Sequence, residues 1–139
     1  MTEISERPPA TRNVLVECDD PMLHDGITRI LHEAGYGITS CAGPSSRSSG
    51  TCPLVTDGRC ALVDHADLIV HALDQTDTAH RDVLAALLSG GAPDVVIESD
   101  ALPAGRTPAT TPHAPVRTVP AFTRSTLLDA VTEATDRAQ

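Results

Sequence analysis

A chain of 139 residues suffices for one hydrophobic core and is too short for two. Hydrophobic residues make up an ordinary 40%, but Trp is absent and Tyr36 and Phe122 are the only aromatics, so Val, Leu, Ile and Ala must fill the interior. The formal charge of −9 argues against nucleic acid or an anionic membrane as partner, and no apolar run reaches the roughly 18 residues that read as a membrane span.

All ten basic residues are arginine, which bars any mechanism that needs a lysine ammonium. The four cysteines follow a polar, proline-bearing start and no export signal, a combination that implies reduced thiols and a cytoplasmic setting.

Residues 1–12 read as a flexible tail and 13–138 as a single domain. Asn13–Glu17 is a short apolar run with the signature of a buried strand. Asp20 is placed to cap the next helix and Pro21 suits its first turn. Leu23, Ile27, Ile30, Leu31 and Ala34 then recur on one helical face, stopped by Gly35. Gly37–Cys41 is the second expected strand.

The segment 43–60 reads as a variable loop, rich in Ser and Gly at first and then carrying an Asp57-Gly58 turn, with a helical turn expected over Ala61–Ala66. Asp67–Leu73 is the clearest central strand. Val83, Leu84, Leu87 and Leu88 form a helical stripe within Thr78–Ser89, ended by Gly90-Gly91. Asp94–Glu98 is a fourth strand. The stretch 101–115 holds four prolines and is expected to be a second variable loop. Val116–Val119 closes the strands, and Thr123–Ala138 is a last helix turning Leu127, Leu128, Val131 and Ala134 inward. Strands alternating with helices at this spacing predict an α/β fold, a five-stranded parallel sheet covered on both faces.

Three blocks in this order, NVLVECDDP at 13–21, HADLIVHAL at 65–73 and VPAFTRSTLLDAV at 119–131, resemble the receiver domain of bacterial response regulators over about residues 13–137. The resemblance implies a flavodoxin-like doubly wound sheet, here with the second and fourth helices shortened or replaced by loops. It also locates the family's phosphorylation site. The acidic pair that holds Mg²⁺ in the family falls on Cys18 and Asp19, with Asp20 just after. The phosphoacceptor's place, five residues beyond Asp67, is taken by Ala72. Ser99 matches the family's Thr/Ser, and Val119-Pro120 stands where the family has Lys-Pro. Arg117 shares Val119's strand face, but its planar fork is no substitute for an ammonium point charge.

Asp19, Asp20, Ala72, Asp74 and Ser99 therefore mark a vestigial acidic pocket, in which Asp74 reads as a capping or solvated loop acid. The expected function is that of a non-catalytic pseudo-receiver, a regulatory module without metal or cofactor that acts through another protein or by self-association.

An alternative rests on Cys41, Cys52 and Cys60, separated by ten and seven residues, which could form a thiol-based redox or metal-sensing site. Their spacing matches no common metal knuckle. Cys52 and Cys60 do not face each other if Asp57-Gly58 turns a hairpin. Cys60 is the best placed for reactivity, at the expected start of a helix. Cys41 through Arg47 and Ser48 also fits C-x₅-R-S, the oxyanion loop of cysteine-dependent phosphatases and arsenate reductases, in which a low-pKa cysteine is the nucleophile. His71, inside the central strand, reads as a hydrogen-bonded interior residue.

Overall fold

The structure, a computed structural model, describes residues 12–44, 52–89, 94–98 and 116–137. The expected tail at 1–11, the loop residues 45–51 and the proline-rich stretch 101–115 lie outside the described residues, as does the place of the expected fourth-helix replacement.

Five strands, β1 (Asn13–Cys18), β2 (Gly37–Cys41), β3 (Leu68–Ala72), β4 (Val95–Glu98) and β5 (Val116–Val119), form one parallel sheet in the order β2-β1-β3-β4-β5. Their near-continuous aliphatic runs follow from burial on both faces, which a parallel sheet requires. On one face Val14, Val16, Leu68, Val70, Val96 and Val119 pack against α1 (Pro21–Glu33) and α5 (Arg124–Arg137) through Ile27, Leu31, Leu127 and Val131. On the other, Leu15, Ile69, Leu73 and Val95 pack against α2 (Pro53–Asp57), α3 (Ala61–Asp64) and α4 (Thr78–Ser89) through Leu54, Val63, Val83 and Leu87. The result is the expected three-layer α/β/α sandwich.

Local signals set where the elements begin and end. The Asp20 carboxylate accepts from the amides of Met22 (2.9 Å) and Leu23 (3.4 Å), and Pro21 opens the helix. At the other end Gly35 takes φ 96°, its amide donating to the His32 carbonyl and that of Tyr36 to the Leu31 carbonyl. This Schellman closure needs a left-handed residue, hence glycine. Asn13, opening β1, ties this strand to its two neighbours, β2 and β3. Its amide donates to Asp67 Oδ2, its Nδ2 to the His65 carbonyl, and its Oδ1 accepts from Thr39 Oγ1. Glu98, ending β4, accepts from the Phe122 amide at 2.9 Å and so pins the turn that leads into α5.

The expectations need correction in three places. Asp57-Gly58 is no hairpin, because Pro53–Asp57 is helical and Gly58, at φ 78°, is its left-handed stop. Part of the segment expected as a loop is thus a short helix, α2, and the helical turn expected over Ala61–Ala66 follows as α3. Ala34 is exposed because it is the carboxyl cap of α1 and no longer on its inner face. Asp67, Leu73, Asp94 and Thr123 lie just outside their expected elements, as happens where a chain end pairs with a turn and not a strand. Among the described residues no helix is long and apolar enough to cross a membrane.

Leu31 is fully buried between α1 and the sheet. Leu31→Ala should lower the unfolding free energy by about 2–5 kcal/mol, measured by urea denaturation; a change below about 0.5 kcal/mol would contradict the assigned core.

Candidate functional site

The carboxyl edge of β1 and β3 is where a sheet of this order places its chemistry. Strand register sets Cys18 opposite Ala72 there. Cys18 is buried in the α1–α5 layer, and its thiol donates to the Asp20 carbonyl at 3.4 Å. Burial is the main cause that pushes this thiol's pKa up, aided by the negative charges of Asp19 and Asp20 and opposed by the backbone hydrogen bond. Ala72, to which the resemblance assigned the phosphoacceptor's place, packs against the same layer and carries no nucleophile.

Each nearby acid for which a hydrogen bond is assigned serves the backbone. Asp20 caps α1. Asp74, two residues beyond Ala72, accepts from the Thr76 amide (3.0 Å) and Thr76 Oγ1 (2.9 Å), closing a turn. These backbone and side-chain bonds hold its carboxyl below the ordinary 3.8, with a smaller contribution from His80. Asp19 is exposed, and Ser99 lies outside the described residues. Among the described residues no three His, Cys, Asp or Glu side chains converge as a metal site. Arg117 does not stand in for a lysine either. Its Nη1 donates to Glu133 on α5 at 2.7 Å, in the wall of a groove of about 370 Å³ between β5 and α5.

The sheet's other face holds a set of polar groups of which the sequence reading had singled out only His71. Glu17 and His71, 4% and 1% exposed, are register partners on β1 and β3. His71 Nδ1 lies 2.5 Å from Glu17 Oε1. Gln75 Nε2 donates to the Leu73 carbonyl and lies 2.9 Å from His71 Nε2. An amide NH₂ can only donate, so His71 Nε2 must be the acceptor and the ring proton sits on Nδ1, facing the Glu17 carboxylate. His71 is thus the interior hydrogen-bonded histidine expected, but its partner was unforeseen. The available signal was an acid inside an aliphatic run, on the same side of the strand as Leu15.

His80 is also 1% exposed. Its Nδ1 donates to the Asp74 carbonyl at 2.7 Å, while Nε2 has no hydrogen-bond partner among the described residues. Gly43 lies over this ring at φ 93°, and a Cβ there would stand 3.3 Å from His80 Nε2 and 3.1 Å from Leu73 Cδ2. Both backbone conformation and space therefore call for glycine.

Cys41, Cys52 and Cys60 gather on this face, all half-buried, all free thiols, all against one cluster. Cys60 does precede a helix, but one of only four residues. Burial first, then the negative potential of Glu17, Cys52 and Cys60, pushes the Cys41 thiol pKa up against a lowering hydrogen bond from Gly43. A phosphatase nucleophile needs the opposite shift, and Arg47 and Ser48 lie outside the described residues.

Two measurements check these assignments. His71→Leu strands the Glu17 carboxylate in the interior and should cost about 3–5 kcal/mol, most of it recovered in Glu17→Leu/His71→Leu. Additive losses in urea denaturation would mean that the two groups do not interact. Asp74 has a depressed folded pKa, so its stabilisation is present above the ordinary carboxylate range and lost as pH falls through the folded value. Asp74→Ala should therefore be less stable than wild type at neutral pH and equal to it in strong acid; a pH-independent difference would contradict the turn's dependence on the ionised carboxylate.

No family profile matches the chain, and no curated protein does. Among solved structures it is similar to a CheY-like response regulator receiver domain protein from Methanospirillum hungatei JF-1. The two share 16% identity and a TM-score of 0.55, over 91% of this chain and 95% of that one. At that identity the likeness speaks for architecture alone, and by architecture the chain is a CheY-like receiver fold.

Proposed function

We propose that the chain is a pseudo-receiver, a non-catalytic regulatory module of the cytoplasm that acts by binding another protein or a second copy of itself. The observation that carries this reading is Ala72 at the phosphoacceptor's place, packed into the α1–α5 layer opposite Cys18. Phosphoryl transfer to an aspartate needs a nucleophile, a held cation and a positioned ammonium together. Here the first is replaced by a methyl group, the third is ruled out by composition, and Asp20 and Asp74 are engaged by backbone amides. Asp74 is exposed and already satisfied, a poor replacement for the missing aspartate. What remains is a receiver-like scaffold whose effect on other molecules must come through its surface.

The test has two parts. Incubation with Mg²⁺ and acetyl phosphate should add no phosphoryl group by intact-protein mass spectrometry. Tagged chain expressed in its native cell should retain one protein, or itself, in a fixed ratio, equally well for Asp20→Asn and Asp74→Asn as for wild type. Phosphorylation at either aspartate, or binding that either substitution abolishes without unfolding the chain, would overturn the reading.

A further inference from the structure

The thiols of the α2–α3–α4 face are not explained by packing alone. Cys41 ends β2, Cys52 immediately precedes α2 and Cys60 immediately precedes α3, yet all three lean on the cluster built around Leu15, Leu54, Ile69 and Leu73. Three separate elements thus deliver a thiol to the same hydrophobic cluster. Two of these thiols occupy helix N-cap positions with extended backbone, at φ −104°, ψ 126° for Cys52 and φ −143°, ψ 125° for Cys60, and neither side chain makes a capping hydrogen bond. An N-cap favours Ser, Thr, Asp or Asn because their oxygens satisfy helix amides. Here both short helices start on a residue that does not cap them, which leaves its sulfur uncommitted to the local backbone. The charge of either thiolate is felt at Cys41.

We propose that this face is a redox modification site, where Cys41 forms a reversible intramolecular disulfide with Cys52 or Cys60 when the chain meets hydrogen peroxide. The thiolate of the α2–α3 cysteine attacks one peroxide oxygen, and the O–O bond breaks. A sulfenic acid forms, and the leaving hydroxide takes up a proton as water. The Cys41 thiolate then attacks that sulfur; the S–S bond forms, the S–O bond breaks, and a second water leaves. Overall two thiols surrender two protons and two electrons, and one peroxide becomes two waters. A dithiol reductant reverses the change.

The roles follow from environment. Cys41 takes the resolving role: it ends the edge strand β2, and burial pushes its thiol pKa up. Its thiolate fraction grows about tenfold per pH unit below its pKa, so closure accelerates as pH rises. Helices of five and four residues have little cooperative stability of their own, so the segment can adjust to the narrow geometry that a disulfide demands. Cys18 takes no part, because it is buried on the opposite face of the sheet. The proposal does not rest on the pseudo-receiver reading, and either can fail alone.

The experiment uses the wild-type full-length chain. Reduced protein is treated with hydrogen peroxide at several pH values, the remaining thiols are blocked with N-ethylmaleimide in denaturant, and non-reduced peptides are mapped by mass spectrometry. The expected result is loss of two thiols per chain, retention of Cys18, and a peptide joining Cys41 to Cys52 or Cys60. That link should form faster at higher pH, vanish with dithiothreitol, and be absent in Cys41→Ser. Four thiols still open to alkylation, a link between Cys52 and Cys60 alone, links only between chains, or involvement of Cys18 would each overturn the proposal. Because the mapping is done on wild type, it stands even if Cys41→Ser folds poorly.

Discussion

The pairing of β1 with β3 is the constraint on which the rest of the molecule turns. One register sets Glu17 against His71 and, one step on, Cys18 against Ala72. Since successive side chains point to opposite faces, the first pair enters the layer under α2–α4 and the second enters the layer under α1 and α5. A slip of one residue would bury Glu17 among Val16's neighbours, with no imidazole to meet it. The Glu17–His71 contact thus adds specificity of alignment to a core that is otherwise interchangeable aliphatic carbon. Any net stability from it is reduced by the desolvation of both groups.

The same register sets what the carboxyl edge presents. Of its acids, Asp20 closes the start of α1 and Asp74 closes a turn, while Asp19 is exposed. An aspartate that is already accepting from amides is stabilised as a structural group and has less to gain from a cation. Arg117, the nearest strand residue with a positive charge, faces α5 and is neutralised there by Glu133. These are short-range demands, and each removes a group from the edge.

On the other face, where a shortened or replaced second helix was expected, two short helices stand, and they set the chemistry of that layer. A long amphipathic helix would cover the sheet with aliphatic side chains. The broken segment instead brings in two uncapped cysteines beside Cys41, next to a layer that already holds Glu17, His71, Gln75 and His80. With only Leu54 and Val63 of α2 and α3 buried and hardly an aromatic in the chain, polar and sulfur-bearing groups fill space that larger hydrophobes would otherwise take.

Much of the architecture was readable before any coordinates. Short continuous aliphatic runs, the Asp20-Pro21 start, the Gly35 stop and the stripe through Val83, Leu84 and Leu87 are local codes, and local codes survive in a linear string. The helix at Pro53–Asp57 was misread because Asp-Gly is a turn signal at a helix end as well as in a hairpin, and only the backbone conformation tells them apart.

By itself, then, the sequence determined the element order, the doubly wound class and the absence of any lysine, because each depends on residue type and neighbouring periodicity. Only the tertiary structure decided that Glu17 meets His71 across 54 residues, and that Cys41, Cys52 and Cys60 share one cluster. Those facts depend on strand register and on where short helices come to rest, which arise from packing between distant segments and leave no mark in local pattern.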